Sequence, residues 1–190
     1  MPLRTPESAL VSALMAHLQD VVDDEVGADK VTVTTQWPDD REGQPEGVQV
    51  VISHGRLAET PVAPFVHTET GTSRLTAVAD GRLPVQVDIF APHQDVRDEL
   101  APILRAALSP RRGHPMLVLD LDDYHGVSAR LRVNSGSPVD DEDALLAREW
   151  RYTFELTAEI DVVVADTFPV IADTSSITTT LSTDLDIEEP

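Results

Sequence analysis

The chain begins with an amphipathic pattern in which apolar residues recur every three or four positions. The apolar face is formed by Leu10, Val11, Leu14, Met15, Leu18, Val21 and Val22. Thr5 precedes Pro6, and a threonine N-cap followed by a proline at the first helical position is a typical helix start. Gly27 offers a stop signal. The spacing therefore predicts a helix over residues 6–24.

Short runs that alternate between apolar and polar residues follow this helix and predict β-strands. These runs cover about residues 31–37, 48–54, 73–79, 83–90, 116–121 and 127–133. Asp80 and Gly81 stand between two of them, which predicts a hairpin turn at that point. Residues 56–72 contain two prolines and are interpreted as a long irregular excursion. Residues 134–143 are interpreted as a polar loop.

A second helix and a long final strand complete the predicted elements. The helix is predicted over residues 93–108, and Pro102 inside it predicts a kink or a break. Every even position from 150 to 164 is apolar, with mostly polar residues between them. Such alternation over about 15 residues predicts a strand of roughly 50 Å, longer than the usual 5–6 residues. We expect it to bend, or to project from the domain and pair with another chain.

Two amphipathic helices among runs of strands predict an α+β fold, with both helices packed on a mixed or antiparallel β-sheet. The periodic patterns end near Pro169, so we expect one domain over residues 1–171. Residues 172–190 are rich in Ser, Thr, Asp and Glu and predict an extended acidic C-terminal arm. The candidate assembly-interface residues of this arm are Ile177, Leu181, Leu185 and Ile187. A tail that only promotes solubility is the alternative interpretation.

The charge of the chain restricts its partners. The 34 acidic and 14 basic residues give a formal net charge of −20, and Lys30 is the only lysine. This balance argues against a free-standing nucleic-acid-binding protein and against docking on anionic membranes. Self-repulsion of this kind fades in molar salt, where the Debye length is about 3 Å. The surface therefore favours a halophilic source, and an arginine-preferring mesophile is the alternative.

Cysteine content and hydropathy exclude further classes of protein. The chain has no cysteine, which excludes disulfides, thiolate metal sites and a cysteine nucleophile. Its apolar runs are much shorter than the roughly 20 residues that span a bilayer. The N-terminus also lacks the apolar core of a signal peptide. We expect no membrane association.

The clearest concentration of possible ligands runs from Asp120 to Gly126. An EF-hand counted from Asp120 needs an oxygen ligand, a glycine and a glutamate at its fifth, sixth and twelfth positions, where Tyr124, His125 and Leu131 stand. We interpret the segment as a solvated acidic turn. No two of the six histidines are four residues apart, and motifs for a seryl nucleophile or a phosphate loop are absent. We predict no enzyme activity, no cofactor and no bound metal.

Two segments carry a resemblance to a known family. Residues 83–108 are an apolar strand that leads directly into a helix rich in Arg, Asp and Leu. Residues 148–160 are an aromatic strand that includes Trp150 and Phe154. Together they resemble the tail-terminator (tail-completion) proteins of tailed bacteriophages and archaeal viruses. The order of elements is similar to that family over about residues 6–165.

The resemblance implies a structural protein of the virion, without enzyme activity. Such proteins form a hexameric ring that caps the head-proximal end of the tail tube, ends tail polymerisation and joins the tail to the head connector. The implied partners are other copies of the chain, the tail-tube protein and the connector or stopper proteins. Genome DNA passes through the ring without specific binding. The implied location is the tail or neck of a virion assembled in the host cytoplasm, here of a halophilic host.

Two other functions stay open at this point. The first is another virion protein with the same helix and sheet pattern, either a head–tail stopper or a tail-tube subunit. A tube subunit polymerises into long tubes, whereas a terminator stops at one ring. The second is a small halophilic enzyme or binding domain, which a bound metal, nucleotide or sugar would reveal.

Overall fold

The computed structural model describes residues 5–38, 47–70, 73–109, 117–121, 124–139 and 150–167. Within these residues it contains two helices and seven strands of one sheet. Their bounds are α1 Pro6–Glu25, β1 Val31–Thr34, β2 Val48–His54, β3 Ala58–Thr70, β4 Ser73–Ala91, α2 Gln94–Leu108, β5 Leu117–Leu121, β6 Tyr124–Val139 and β7 Trp150–Thr167. The predicted α+β class, with two helices on a mixed sheet, is confirmed.

Helix α1 begins and ends at the predicted signals. The Thr5 side chain accepts a hydrogen bond from the Ser8 backbone N–H, at 3.3 Å. At the other end Gly27 has a φ of 111°, and its N–H donates to the Val22 carbonyl at 3.2 Å. A positive φ after the last turn is a conformation that glycine adopts without a steric cost, which explains why the helix stops there.

The sheet is organised around its two longest strands. The strand order is β1-β2-β4-β7-β6-β5, and β3 also pairs with β4. Strands β1 and β2 are parallel, and every other described pairing is antiparallel. Strand β4 pairs with β7 along its whole length, from Ser73 opposite Thr167 to Ala91 opposite Trp150. On its other edge β4 pairs with β3 and then with β2, which follow one another along it.

The predicted hairpin turn at Asp80 and Gly81 is wrong. Both residues lie inside the continuous strand β4 and pair with strands on both sides. The chain reverses direction instead between Thr70 and Ser73, which are register partners, and the two residues between them lie outside the described part. The predicted irregular excursion at 56–72 is therefore also wrong, because most of it forms β3.

Gly81 serves close packing rather than a turn. A Cβ atom at this position would lie 2.9 Å from Leu57 Cδ1 and 3.1 Å from the Ile160 carbonyl oxygen. Both distances are shorter than an ordinary carbon contact, so a larger residue would push the strands apart. The same dipeptide that marks a tight turn thus marks a crowded position in the middle of a sheet.

Three further sequence predictions have mixed outcomes. The polar loop predicted at 134–143 is wrong for its first part, since β6 continues to Val139. Pro102 lies within α2, and the helix continues past it to Leu108 without a break. The long final strand is confirmed, and it extends to Thr167.

Both helices pack on one face of the sheet, which we call the helix face. Alternate residues of β4 and β7 point towards the helices and are buried, as the period-two pattern predicts. The most deeply buried members of this core are Leu10, Leu14, Leu18, Val22, Ile52, Leu83, Ile89, Leu104, Leu108, Leu119, Phe154 and Leu156. One bond between the helices joins them at the edge of this layer, where His17 Nε2 lies 3.1 Å from the Ala107 carbonyl oxygen.

Candidate assembly surface

The opposite side of the sheet, which we call the open face, carries most of the polar residues of the central strands. Register and alternation place these polar residues on it, together with the apolar Phe90: Asp80, Arg82, Gln86, Asp88, Arg130, Arg132, Arg151, Thr153, Glu155, Thr157, Glu159 and Asp161. The two described helices both pack on the other face. Shallow depressions of about 290 and 410 Å³ lie on the open face. Over the described residues it is a broad polar surface with shallow depressions.

A buried carboxylate organises one end of the open face. Asp88 has no exposed surface, and its Oδ1 accepts hydrogen bonds from Arg151 Nε at 3.0 Å, from Arg151 Nη2 at 2.9 Å and from Thr153 Oγ1 at 2.6 Å. Gln86 Nε2 donates to the other carboxylate oxygen at 2.7 Å. A buried charge is tolerated when it is paired and hydrogen-bonded in this way. The network fixes Arg151 in one position on the sheet.

The fixed guanidinium lies against two aromatic rings. Arg151 Cζ is 4.9 Å from the centre of the Trp37 ring and 5.4 Å from that of Phe90. The two rings meet edge to face, with 5.5 Å between their centres. Trp37 nevertheless stays 49% exposed, and it is the one large apolar side chain so exposed among the residues that the structure describes. The cluster combines a cation–π contact with an accessible indole.

The middle of the open face carries arginines in register. Arg82 and Arg130 lie on either side of Glu159, one on β4 and the other on β6. Arg132 lies opposite Thr157, and Glu155 and Glu159 are its diagonal neighbours on β7. All three arginines are exposed. This region therefore has a local excess of positive charge on a strongly acidic chain.

The helix side of the sheet carries an acidic helix, α1. Helix α1 contains no arginine or lysine and five acidic residues: Glu7, Asp20, Asp23, Asp24 and Glu25. Four of these acids lie at its C-terminal end, where the helix dipole disfavours negative charge. Asp20, Asp24 and Glu25 are exposed. Asp23 Oδ1 accepts a hydrogen bond from Gln19 Nε2 at 2.9 Å, and the same glutamine side chain bonds to the backbone of β1, whereas Asp20, Asp24 and Glu25 form the exposed part of the cluster.

Helix α2 is attached to the sheet by two arginines. Arg105 Nη2 donates to the Gly136 carbonyl at 3.2 Å and contacts the Tyr152 hydroxyl at 3.1 Å. Arg97 is 3% exposed, and its guanidinium lies 5.4 Å from the centre of the Trp150 ring. These contacts hold the helix against β6 and β7, and so they stabilise the platform that carries the open face.

The residues predicted from the sequence to form an interface are not the ones that the structure places on these surfaces. The candidate interface residues Ile177, Leu181, Leu185 and Ile187 lie outside the described residues. The cluster of Trp37, Asp88 and Arg151 was not predicted, and its only sequence signals are a carboxylate inside an apolar strand and an arginine between two aromatic residues. No group of three or more potential metal ligands occurs in the described ranges. Neither described helix has the length and apolar character to cross a membrane.

Known proteins resemble this chain in structure and not in sequence. No family model matches the sequence, and no curated protein matches it. Among solved structures the chain is similar to one titled "Cryo-EM Structure of an Extracellular Contractile Injection System, PVC sheath/tube terminator in extended state". The sequence identity is 14%, the match covers 96% of this chain and 66% of that chain, and the TM-score is 0.49. A similarity this loose does not by itself assign a fold family or a function.

Proposed function

We propose that this chain is a tail terminator: a structural protein that closes the end of a viral tail tube as a ring. In this role it ends polymerisation of the tube and presents a surface to the head connector. The ring has six copies, as the family resemblance implies, and DNA passes through it. The chain acts through protein contacts and not as an enzyme.

The observation that carries the proposal is the relation between the two segments that resemble the family. Residues 83–108 form the end of β4 and the whole of α2, and residues 150–160 lie in β7. These strands are register partners, with Leu83 opposite Ala158 and Ala91 opposite Trp150. The two segments, far apart in sequence, thus form the centre of the fold together. A resemblance carried by one continuous structural unit supports the proposal more strongly than two separate matches.

The charge of the chain is compatible with this role. A net charge of −20 opposes tight binding of phosphates, so DNA is able to slide past the ring without being held. The broad open face offers an area for protein contacts instead. A head–tail stopper or a tail-tube subunit of the same virion is the second candidate, because it uses the same type of surface.

The mass of the purified assembly tests the proposal. In about 2 M potassium chloride, where repulsion between exposed charges is screened, light scattering and electron microscopy should show closed rings of one size. Adding the protein to a polymerising tail-tube protein should halt tube growth. Long tubes of this chain alone would instead identify a tube subunit. A monomer that carries a small ligand in native mass spectrometry would identify an enzyme or binding domain.

We further propose that the C-terminal arm, residues 172–190, works between subunits or on a neighbouring virion protein. Its four candidate interface residues are separated by four, four and two positions, so a single helix or strand period does not explain them. An arm of about 19 residues reaches up to roughly 60 Å when extended. Within the described residues, β7 pairs with β6 only as far as Ile160. We infer that the arm adds as a strand to the outer edge of β7 beyond that point.

Deleting the arm after Asp173 is expected to weaken assembly while the domain still folds. Ordering a polar segment costs entropy that only intersubunit contacts recover, so the truncated protein should form fewer rings at the same concentration. Sizing of the assembly and a tail-attachment assay measure the effect. If the truncated protein forms the same rings and still yields infectious, correctly joined particles, the arm is only a solubility tail.

The fold is expected to depend on salt. The net charge of −20 with a single lysine destabilises the compact state when carboxylate repulsion is unscreened. Raising potassium chloride from about 0.1 M to about 2 M shortens the Debye length from about 10 Å to below 3 Å and should raise the melting temperature. Circular dichroism measures this shift. An unchanged melting temperature across that range would contradict the halophilic source.

A further inference from the structure

The two sides of the sheet carry different balances of acidic and basic residues. The open face holds Arg82, Arg130, Arg132 and Arg151 and five acidic residues, so it is close to neutral although the chain carries −20. On the helix side, α1 has no arginine or lysine and carries four of its five acidic residues at its C-terminal end. Like-charge repulsion opposes association of most surfaces of this protein. The open face is the described surface that an acidic partner approaches most easily.

We propose that the open face binds the acidic C-terminal end of α1 in a second copy of this chain. Arg132 and its neighbours on β4 and β6 receive the carboxylates of that helix end, which include Asp20 and Asp24. Trp37 provides an apolar anchor at the edge of the same contact. The closure of these contacts into a ring rests on the proposed function. The choice of the two surfaces that meet rests on their charges.

Charge complementarity selects this occupant. Asp24 and Glu25 are exposed at the negative end of the helix dipole, where a nearby guanidinium of another subunit would offset their cost. The exposed Arg132 lies opposite Thr157, and with Arg82 and Arg130 it shares only two nearby glutamates on β7, so these three arginines exceed the adjacent carboxylates by one charge. Opposite charges placed this way favour the correct register and disfavour the pairing of two open faces or two acidic helices.

The Trp37 cluster supplies the contact energy that surface charges alone do not. Exposed ion pairs contribute little, because water and salt screen them. Tryptophan and arginine are the residue types that most often dominate binding at protein interfaces. Arg151 is held in place by Asp88 and lies 4.9 Å from the indole centre, so the cluster is ordered before a partner arrives.

The size and placement of the two surfaces suit a repeating contact. Four strands, spaced about 4.8 Å apart, and about ten residues along each, give a face of roughly 19 by 34 Å. That face, about 650 Å² in outline, is smaller than the roughly 800 Å² per partner of a standard complex, so the contact needs the Trp37 anchor as well as the charges. The open face and α1 lie on opposite sides of the sheet, so the contact is head-to-tail. Contacts of this kind close into rings when the rotation between subunits allows it.

Charge reversal and charge exchange test the contact. The variants are Arg132→Glu, Asp24→Arg, the combination of both, and Trp37→Ala, with Glu99→Arg as the control. Glu99→Arg changes the net charge by the same amount as Asp24→Arg, and Glu99 is an exposed residue of α2, outside both the open face and the C-terminal end of α1. Assembly is followed by light scattering against concentration in about 0.5 M potassium chloride, where directly touching charges are screened less than distant ones. Circular dichroism checks that each variant is folded.

We expect Arg132→Glu and Asp24→Arg each to raise the concentration for half-assembly at least about tenfold, and the combined variant to recover most of that loss. Trp37→Ala should weaken assembly also in about 2 M salt, and Glu99→Arg should leave it unchanged. If the wild type forms rings and Arg132→Glu and Trp37→Ala do so at the same concentration, this contact is wrong while the proposed function stands. If both single charge variants weaken assembly and their combination weakens it further, the pairing of these two surfaces is wrong. A wild type that stays monomeric at every concentration overturns the contact and the ring together.

Discussion

Replacing Asp88 by alanine is expected to lower the free energy of unfolding by about 3–5 kcal/mol. The carboxylate is fully buried and accepts four hydrogen bonds from three side chains. Its removal leaves the Arg151 guanidinium half-buried without its counter-charge, and it leaves the Thr153 hydroxyl and the Gln86 amide without their acceptor. Breaking one side of a buried ion pair costs more than the pair itself contributes, because the remaining charge stays desolvated.

Asp80→Ala is the matched control for this prediction. Asp80 lies on the same strand and the same face, but it is exposed and faces Asp161 across the sheet. Its removal should change stability by less than about 0.5 kcal/mol. Urea unfolding of both variants in about 2 M potassium chloride measures the difference, since repulsion between distant charges is screened there. Equal stability of the two variants would show that the Asp88 network does not hold the sheet together.

The period-two pattern of the last strand was sufficient to predict its faces. A shift of one residue would turn every apolar side chain of the strand towards water, so the buried face determines the register. Trp150, Tyr152 and Phe154 accordingly lie on the helix face, and Arg151 and Thr153 on the open face. The helix caps at Thr5 and Gly27 were equally predictable, since each depends on residues a few positions away.

The predictions of local structure that were wrong depend on contacts between residues that are distant in sequence. Asp80 and Gly81 have the sequence of a hairpin turn, but the crowding by Leu57 and Ile160 that requires a glycine is visible only once the strands are paired. Local sequence alone does not distinguish a glycine that permits a turn from one that makes room for a neighbouring strand.

The candidate site was harder to predict than the fold for the same reason. Asp88 and Arg151 are 63 residues apart in sequence, and they meet only because β4 and β7 pair in one particular register. Trp37 joins them from a loop, where no periodicity assigns a side chain to a face. The alternation of each strand predicts its polar side, but not which polar residues combine into one cluster.

Replacing Phe154 by alanine is expected to destabilise the protein by about 3–5 kcal/mol. Phe154 is fully buried, and its ring centre lies 4.8 Å from that of Tyr152. A Cβ atom at Gly136 would come within 2.8 Å of Phe154 Cδ1, so the ring lies directly over the backbone of β6. Truncation therefore removes apolar contacts and leaves a cavity between the sheet and α2, which the close-packed strands cannot fill.

Two further variants make this prediction specific to the helix face. Phe154→Leu keeps part of the volume and should cost less than alanine. Glu155→Ala, at the next residue, changes an exposed side chain of the open face, so its effect should stay near about 0.5 kcal/mol. Thermal and urea unfolding in about 2 M potassium chloride give the three values. If Phe154→Ala is no less stable than Glu155→Ala, the aromatic residues of β7 do not form the core, and the assignment of the open face to Arg151 and Thr153 fails with it, because the two faces of one strand are fixed by the same register.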